Sequence, residues 1–147
     1  MVTWLDSTGT SLLRALHHDL ARYSKDDAAV VNDLLYGGNI AGDAATWISD
    51  LSIFRQDAYN LQASPAPACA GGTYLGYAAA DWIAATQSYQ AAAQIVGSNP
   101  TLGGINQADP DMGAGNRALS HADDWLKRAV KKSHRLIWNI AKGAVVG

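Results

Sequence analysis

Apolar positions along this chain recur at intervals of three and four, and no stretch shows the strict alternation of a half-buried strand. The first helical pattern runs Leu13, Leu16, Leu20 and Tyr23 and resumes at Val30 and Leu34, with Asp27 standing where an apolar residue is expected. It predicts a helix over about 11–36, either unbroken or interrupted near 24–27, where a serine or aspartate can cap a second start. Gly37-Gly38 closes it, because glycine readily takes the left-handed conformation at a helix C-terminus. A second pattern, Ala44, Trp47, Leu51, Phe54, Ala58 and Leu61, predicts a helix over about 43–62 with Asp43 as its N-cap. The Pro- and Gly-rich loop 64–72 leads into a third helix over 73–97, which Asn99-Pro100 stops. The fourth is expected over about 114–145 on the stripe Leu119, Ala122, Leu126, Ala129, Ser133, Ile137, Ile140 and Ala144. The 16 residues from 98 to 113 read as the one long connection. Four amphipathic segments predict an all-α antiparallel up-down bundle, formed as a single domain over 1–147.

The third segment differs from the others. It carries one charge, Asp81, in 25 residues. Its seam alternates large and small: Leu75, Ala78, Trp82, Ala85, Tyr89, Ala92 and Val96. A helix so poor in charge is expected to be covered on more than one side, and the alanines to admit a close neighbour. A row of Ala79, Thr86 and Ala93 flanks this helix-packing seam, whereas Ala84 lies outside both.

Composition sharpens this picture in one respect. All 13 acidic residues are aspartate, and glutamate, an ordinary residue on exposed helix faces, is absent. Charge is also sorted along the chain. Residues 28–113 hold seven Asp against one Arg, and residues 114–147 hold seven Lys or Arg against two Asp. The basic residues of the last helix lie mostly off its apolar stripe. A net charge of −2 gives no global basic character that would point to nucleic acid.

Candidate chemistry is sparse. There is no Gly-rich phosphate loop, no Gly-x-Ser-x-Gly and no Cys-x-x-Cys, and none of the five tryptophans opens a Trp-x-Gly turn. A Glu-x-x-His metal motif is impossible without Glu, although His121 and Asp124 share a face and His17 stands on another helix. Asp109-Pro-Asp111-Met-Gly113 places Gly113 and Ser120 where a calcium loop needs ligands, so it is read as a turn and helix start. The single cysteine, Cys69, cannot form an internal disulfide. No cofactor and no metal are expected. The first residues show no signal-peptide pattern, and no run of 18 apolar residues exists, so the compartment stays open.

These observations favour a non-catalytic, alanine-rich helical bundle that acts by self-assembly or by binding a helical protein partner. A homo-oligomeric structural subunit of virion or filament type fits this reading. The residues expected to meet a partner are Lys127, Arg128, Lys131, Lys132, Arg135, Ile137, Trp138 and Ile140. The alternative is a module that binds an anionic membrane surface or nucleic acid through the basic amphipathic helix at 125–146. An enzyme of unspecified type is the third class.

Overall fold

The computed structural model describes residues 8–63 and 72–132. They form four helices and, among the described residues, no strand: α1 (Thr8–Tyr36), α2 (Ile40–Ala63), α3 (Gly72–Ser98) and α4 (Leu102–Lys132). Each packs chiefly on the next in sequence, α1 on α2, α2 on α3 and α3 on α4, giving an all-α four-helix bundle. The α3–α4 pairing is the most extensive of the three. None of the described helices is long and apolar enough to cross a membrane.

Local signals explain the turns. Gly37, at φ 84°, donates its N–H to the Asp33 carbonyl at 2.9 Å and ends α1. Asn39 caps α2 from outside, its Oδ1 accepting from Gly42 N at 2.9 Å. Asp43, expected as that cap, instead lies in the first turn, where its charge still suits the helix dipole. Helix α1 runs unbroken through 24–27. The inner stripe resumes at Val30, and packing on both sides of this point overrides the weak local break.

The fourth helix begins at Leu102, not near Ala114, so no long loop separates it from α3. Thr101 caps it, with Oγ1 accepting from Gly104 N at 3.2 Å and its carbonyl accepting from Ile105 N at 3.0 Å. Pro110 sits inside the helix. The N–H it lacks would bond the carbonyl of Asn106, an exposed residue, where water can substitute. The expected continuation to 145, with Arg135, Ile137, Trp138 and Ile140, lies outside the described residues, as does Cys69.

The core has two stacked halves. The lower one joins Leu13 and Leu16 of α1 to Phe54 and Ala58 of α2, Trp82 of α3 and Leu126 of α4. The upper one joins Val30, Trp47, Leu51, Tyr89, Val96 and Ala108. All seven seam residues of α3 are buried, as are Ala79, Thr86 and Ala93. Helix α4 answers with a heptad row of its own, Ala108, Gly115, Ala122 and Ala129, all buried. Small residues on both helices allow a short interaxial distance. At Gly115 the space is used completely: a Cβ there would stand 2.5 Å from Tyr89 Cε1.

Enlarging Ala85, fully buried, must therefore push helices apart, whereas Ala84 is exposed. Ala85→Leu is expected to cost ~1–3 kcal/mol by overpacking and Ala84→Leu less than about 0.5 kcal/mol. Thermal melts of the two variants at matched concentration check this; equal midpoints would mean that the alanine row is not a close-packed surface.

Candidate functional site

The densest chemistry lies along the seam between α1 and α2, on residues that the apolar periodicity does not single out. Asp19, Asp26 and Asp33 are seven residues apart on α1, and Asp43, Asp50 and Asp57 are seven apart on α2. The antiparallel register brings them together as Asp19–Asp57, Asp26–Asp50 and Asp33–Asp43, each step of seven up one helix being a step of seven down the other. Their burial is graded. Asp19 is 3% exposed and Asp26 8%, while the third pair is half-buried beside the turn at 37–39.

Two ionised carboxylates cannot hydrogen-bond, because neither has a donor; one proton between them supplies it. Asp19 Oδ2 and Asp26 Oδ2 are both buried without a donor from elsewhere in the protein. Burial, the shared bond with Asp57 and repulsion from that carboxylate push Asp19 up to about 8, and the Arg22 guanidinium, 3.7 Å away, only partly offsets this. Burial and the Asp50 carboxyl likewise push Asp26 up to about 7, against the pull of Lys25. The hydrogen bond with Asp43 raises Asp33 as well.

Above the middle of the bundle, polar groups enter the core itself. Tyr23 of α1 stacks on Tyr89 of α3 at 4.3 Å between centroids, and Trp47 of α2 leans on both rings. Tyr89 Oη donates to Asn116 Oδ1 of α4 at 2.7 Å. Trp47 Nε1 is buried without a hydrogen-bond partner. Desolvation raises Tyr23, Tyr89 and the nearby Asp27, so all three favour their neutral forms. Asp27, which interrupts the apolar stripe of α1, is thus half-buried beside two tyrosines rather than marking a helix break. Between α2 and α3, Arg55 Nε donates to Thr86 Oγ1 at 3.1 Å and its Nη2 to Gln90 Oε1, pinning one helix to the other.

Helices α1 and α4 meet loosely. Leu20, Trp82, Asn116, Leu119, Ser120 and Asp123 line an open groove of about 350 Å³ there. Of the expected partner-binding residues, Lys127 pairs with Asp123 at 3.0 Å, and Arg128 lies over the Trp125 ring at 4.6 Å. Lys131 and Lys132 are exposed. No group of three or more His, Cys, Asp or Glu among the described residues could hold a metal ion. His121 is exposed, and the His17 and His18 rings lie 5.9 Å apart, tilted.

The signal that would have found the carboxylate pairs was in the sequence: aspartate at intervals of seven on two successive helices joined by a short turn.

The pairs set a direction for stability against pH. The folded chain holds protons at Asp19 and Asp26 that an unfolded chain, with aspartates near 3.8, releases. Folding thus takes up protons, and stability is full below about pH 4 and falls as pH rises toward 8. The melting midpoint is expected to drop by at least about 3 °C between pH 5 and pH 9, the shift that ~1 kcal/mol gives in a chain of this size. A midpoint constant or rising over that range would show that the pairs carry no shared proton.

Comparison with known proteins returns no match to any protein-family model, any curated protein or any solved structure, so the functional reading rests on this geometry.

Proposed function

We propose that the protein is a non-catalytic assembly subunit that packs against copies of itself through helix faces. One observation carries the reading. Helix α1 has a second apolar stripe on its outer side, Ala28, Val31, Leu35 and Tyr36, beyond the inner stripe it buries in the core. Val31 is 47% exposed, Leu35 66% and Tyr36 80%. Single exposed apolar residues are ordinary, but a run at helical spacing is the surface another helix packs against. Leu102, at the same end of the up-down bundle, is 63% exposed and extends the apolar surface there.

Charge supports a second copy as the occupant. Asp33, Asp43, Asp50 and Asp57 lie half-buried along the α1–α2 hairpin, while α4 ends in exposed Lys131 and Lys132. A basic end meeting an acidic flank is a head-to-tail contact, which gives rings or filaments according to whether the rotation closes. The alternative reading, an anionic membrane surface or nucleic acid, is favoured only by the exposed Lys131 and Lys132 and the Arg128–Trp125 stack.

Sedimentation velocity at micromolar concentration tests the proposal. The native chain is expected to associate, and Val31→Lys with Leu35→Lys to return it to monomer with its helical content unchanged. A native chain that stays monomeric at both low and high salt overturns self-assembly. Binding to anionic vesicles or DNA by that monomer would favour the alternative.

A further inference from the structure

The carboxylate pairs hold together the helix that has least else to hold it. Helix α2 is packed on both α1 and α3, and α3 on both α2 and α4, whereas α1 packs chiefly on α2 alone. Its ties to the remaining helices are side-chain contacts: Leu13 and Leu16 in the lower core, Val30 in the upper, and the Tyr23–Tyr89 stack. On its far side the seam with α4 is the open groove beside Leu20. Through the α1–α2 seam run two acid pairs, buried at their α1 members and half-buried at Asp57 and Asp50, and the Oδ2 atoms of Asp19 and Asp26 find no donor within the protein.

The groups around these oxygens leave one way to satisfy them. On α1, Arg22 stands 3.7 Å from Asp19, on its other oxygen, and Lys25 acts on Asp26. From α2 the facing groups are Asp57, Asp50 and Asp43, all of like charge. From α3 the titratable group against α1 is Tyr89, engaged with Tyr23 and Asn116, and from α4 it is Asp123 at the groove, paired with Lys127. Neither figures among the charges felt by Asp19 or Asp26. A divalent cation would need further ligands, and no such cluster exists among the described residues. A proton needs only the two oxygens.

We propose that α1 is a proton-latched flap: the protons shared across Asp19–Asp57 and Asp26–Asp50 hold it on α2, and their loss to solvent releases α1 while α2, α3 and α4 stay packed. With both members ionised, each pair places two negative charges in a desolvated seam, and separation of the helices is the way to rehydrate them. The alternative relief, unfolding of the whole chain, must also break the small-residue packing of α3 on α4, which contains no titratable pair of this kind. The device operates in a monomer and does not depend on self-association.

Hydrogen exchange of the full chain, at a concentration where it is monomeric and with rates corrected for the intrinsic effect of pH, reads this directly. Protection of α1 is expected to fall about tenfold or more between pH 5.5 and pH 8.5, while protection of α3 and α4 changes little. The isosteric variant Asp19→Asn with Asp26→Asn removes both buried acids from the seam and is expected to lose far less α1 protection across that range, the remainder coming from Asp27 and Asp33. Asp50→Asn with Asp57→Asn, neutralising the pairs from the α2 side, is expected to do the same and serves if the first variant does not fold. Native α1 protection that is the same at both pH values overturns the proposal. So does a loss shared equally by α1 and α4, or a loss in the folded variants as large as in the native chain.

Discussion

The close approach of α3 and α4 is the constraint on which the rest of the bundle is hung. It exists because both helices present small residues at heptad spacing, Ala78, Ala85 and Ala92 on one, and Ala108, Gly115, Ala122 and Ala129 on the other. With the backbones close, the large residues between them must lie to the sides, and they do. Trp82 reaches into the lower core, and Tyr89 covers Gly115 on its way to Asn116. Helix α3 can do almost without charge because α4 takes one flank and α2 the other, the latter secured by Arg55 on Thr86 and Gln90. Every other element is placed relative to this pair.

The two outer seams solve the same antiparallel problem by opposite chemistry. Between α3 and α4 the repeat of seven is small and apolar, so contact is gained by dispersion and water exclusion. Between α1 and α2 the repeat of seven is acidic, so contact there is favoured by protonation, which burial of Asp19 and Asp26 promotes. Aspartate suits such a seam better than glutamate would, since its shorter side chain bridges only helices already close and offers fewer rotamers. A one-step slip of α1 would separate all three pairs at once, so the same residues that weaken the seam also mark its register.

Legibility in the sequence followed periodicity and failed where residue type spoke against it. The inner stripes of α1, α2 and α3 were readable because Leu, Trp, Phe and Tyr recur at three and four, and Gly37 and Asn99-Pro100 end their helices as glycine and proline do. The first three turns of α4 were hidden because Gly103, Gly104, Pro110 and Gly113 spell a loop, yet Thr101 caps the helix and the packing of Gly104 and Ala108 outweighs their poor propensity. Asp27 read as a break because an acid on an apolar face has no local excuse; its company is Tyr23, one turn earlier on the same helix, and Tyr89, which α3 brings from far along the chain. The acid pairs needed both spacing and register, and register exists only once the hairpin is closed. Residues 133–147, with half of the expected partner surface, fall outside what the structure describes.

Because each helix meets chiefly its neighbour in sequence, the chain has little distance to search while folding. Two of its three reversals, 37–39 and 99–101, are three residues long, so the entropy lost in closing them is small. Low separation between contacting residues is the topology of rapid folding. The α3–α4 hairpin, with a three-residue turn and the most extensive contact, has the properties of a nucleus on which α2 and finally α1 condense. The helix that carries the acid pairs is then the last one added to the growing structure, so the step that closes the core is also the one that takes up the protons.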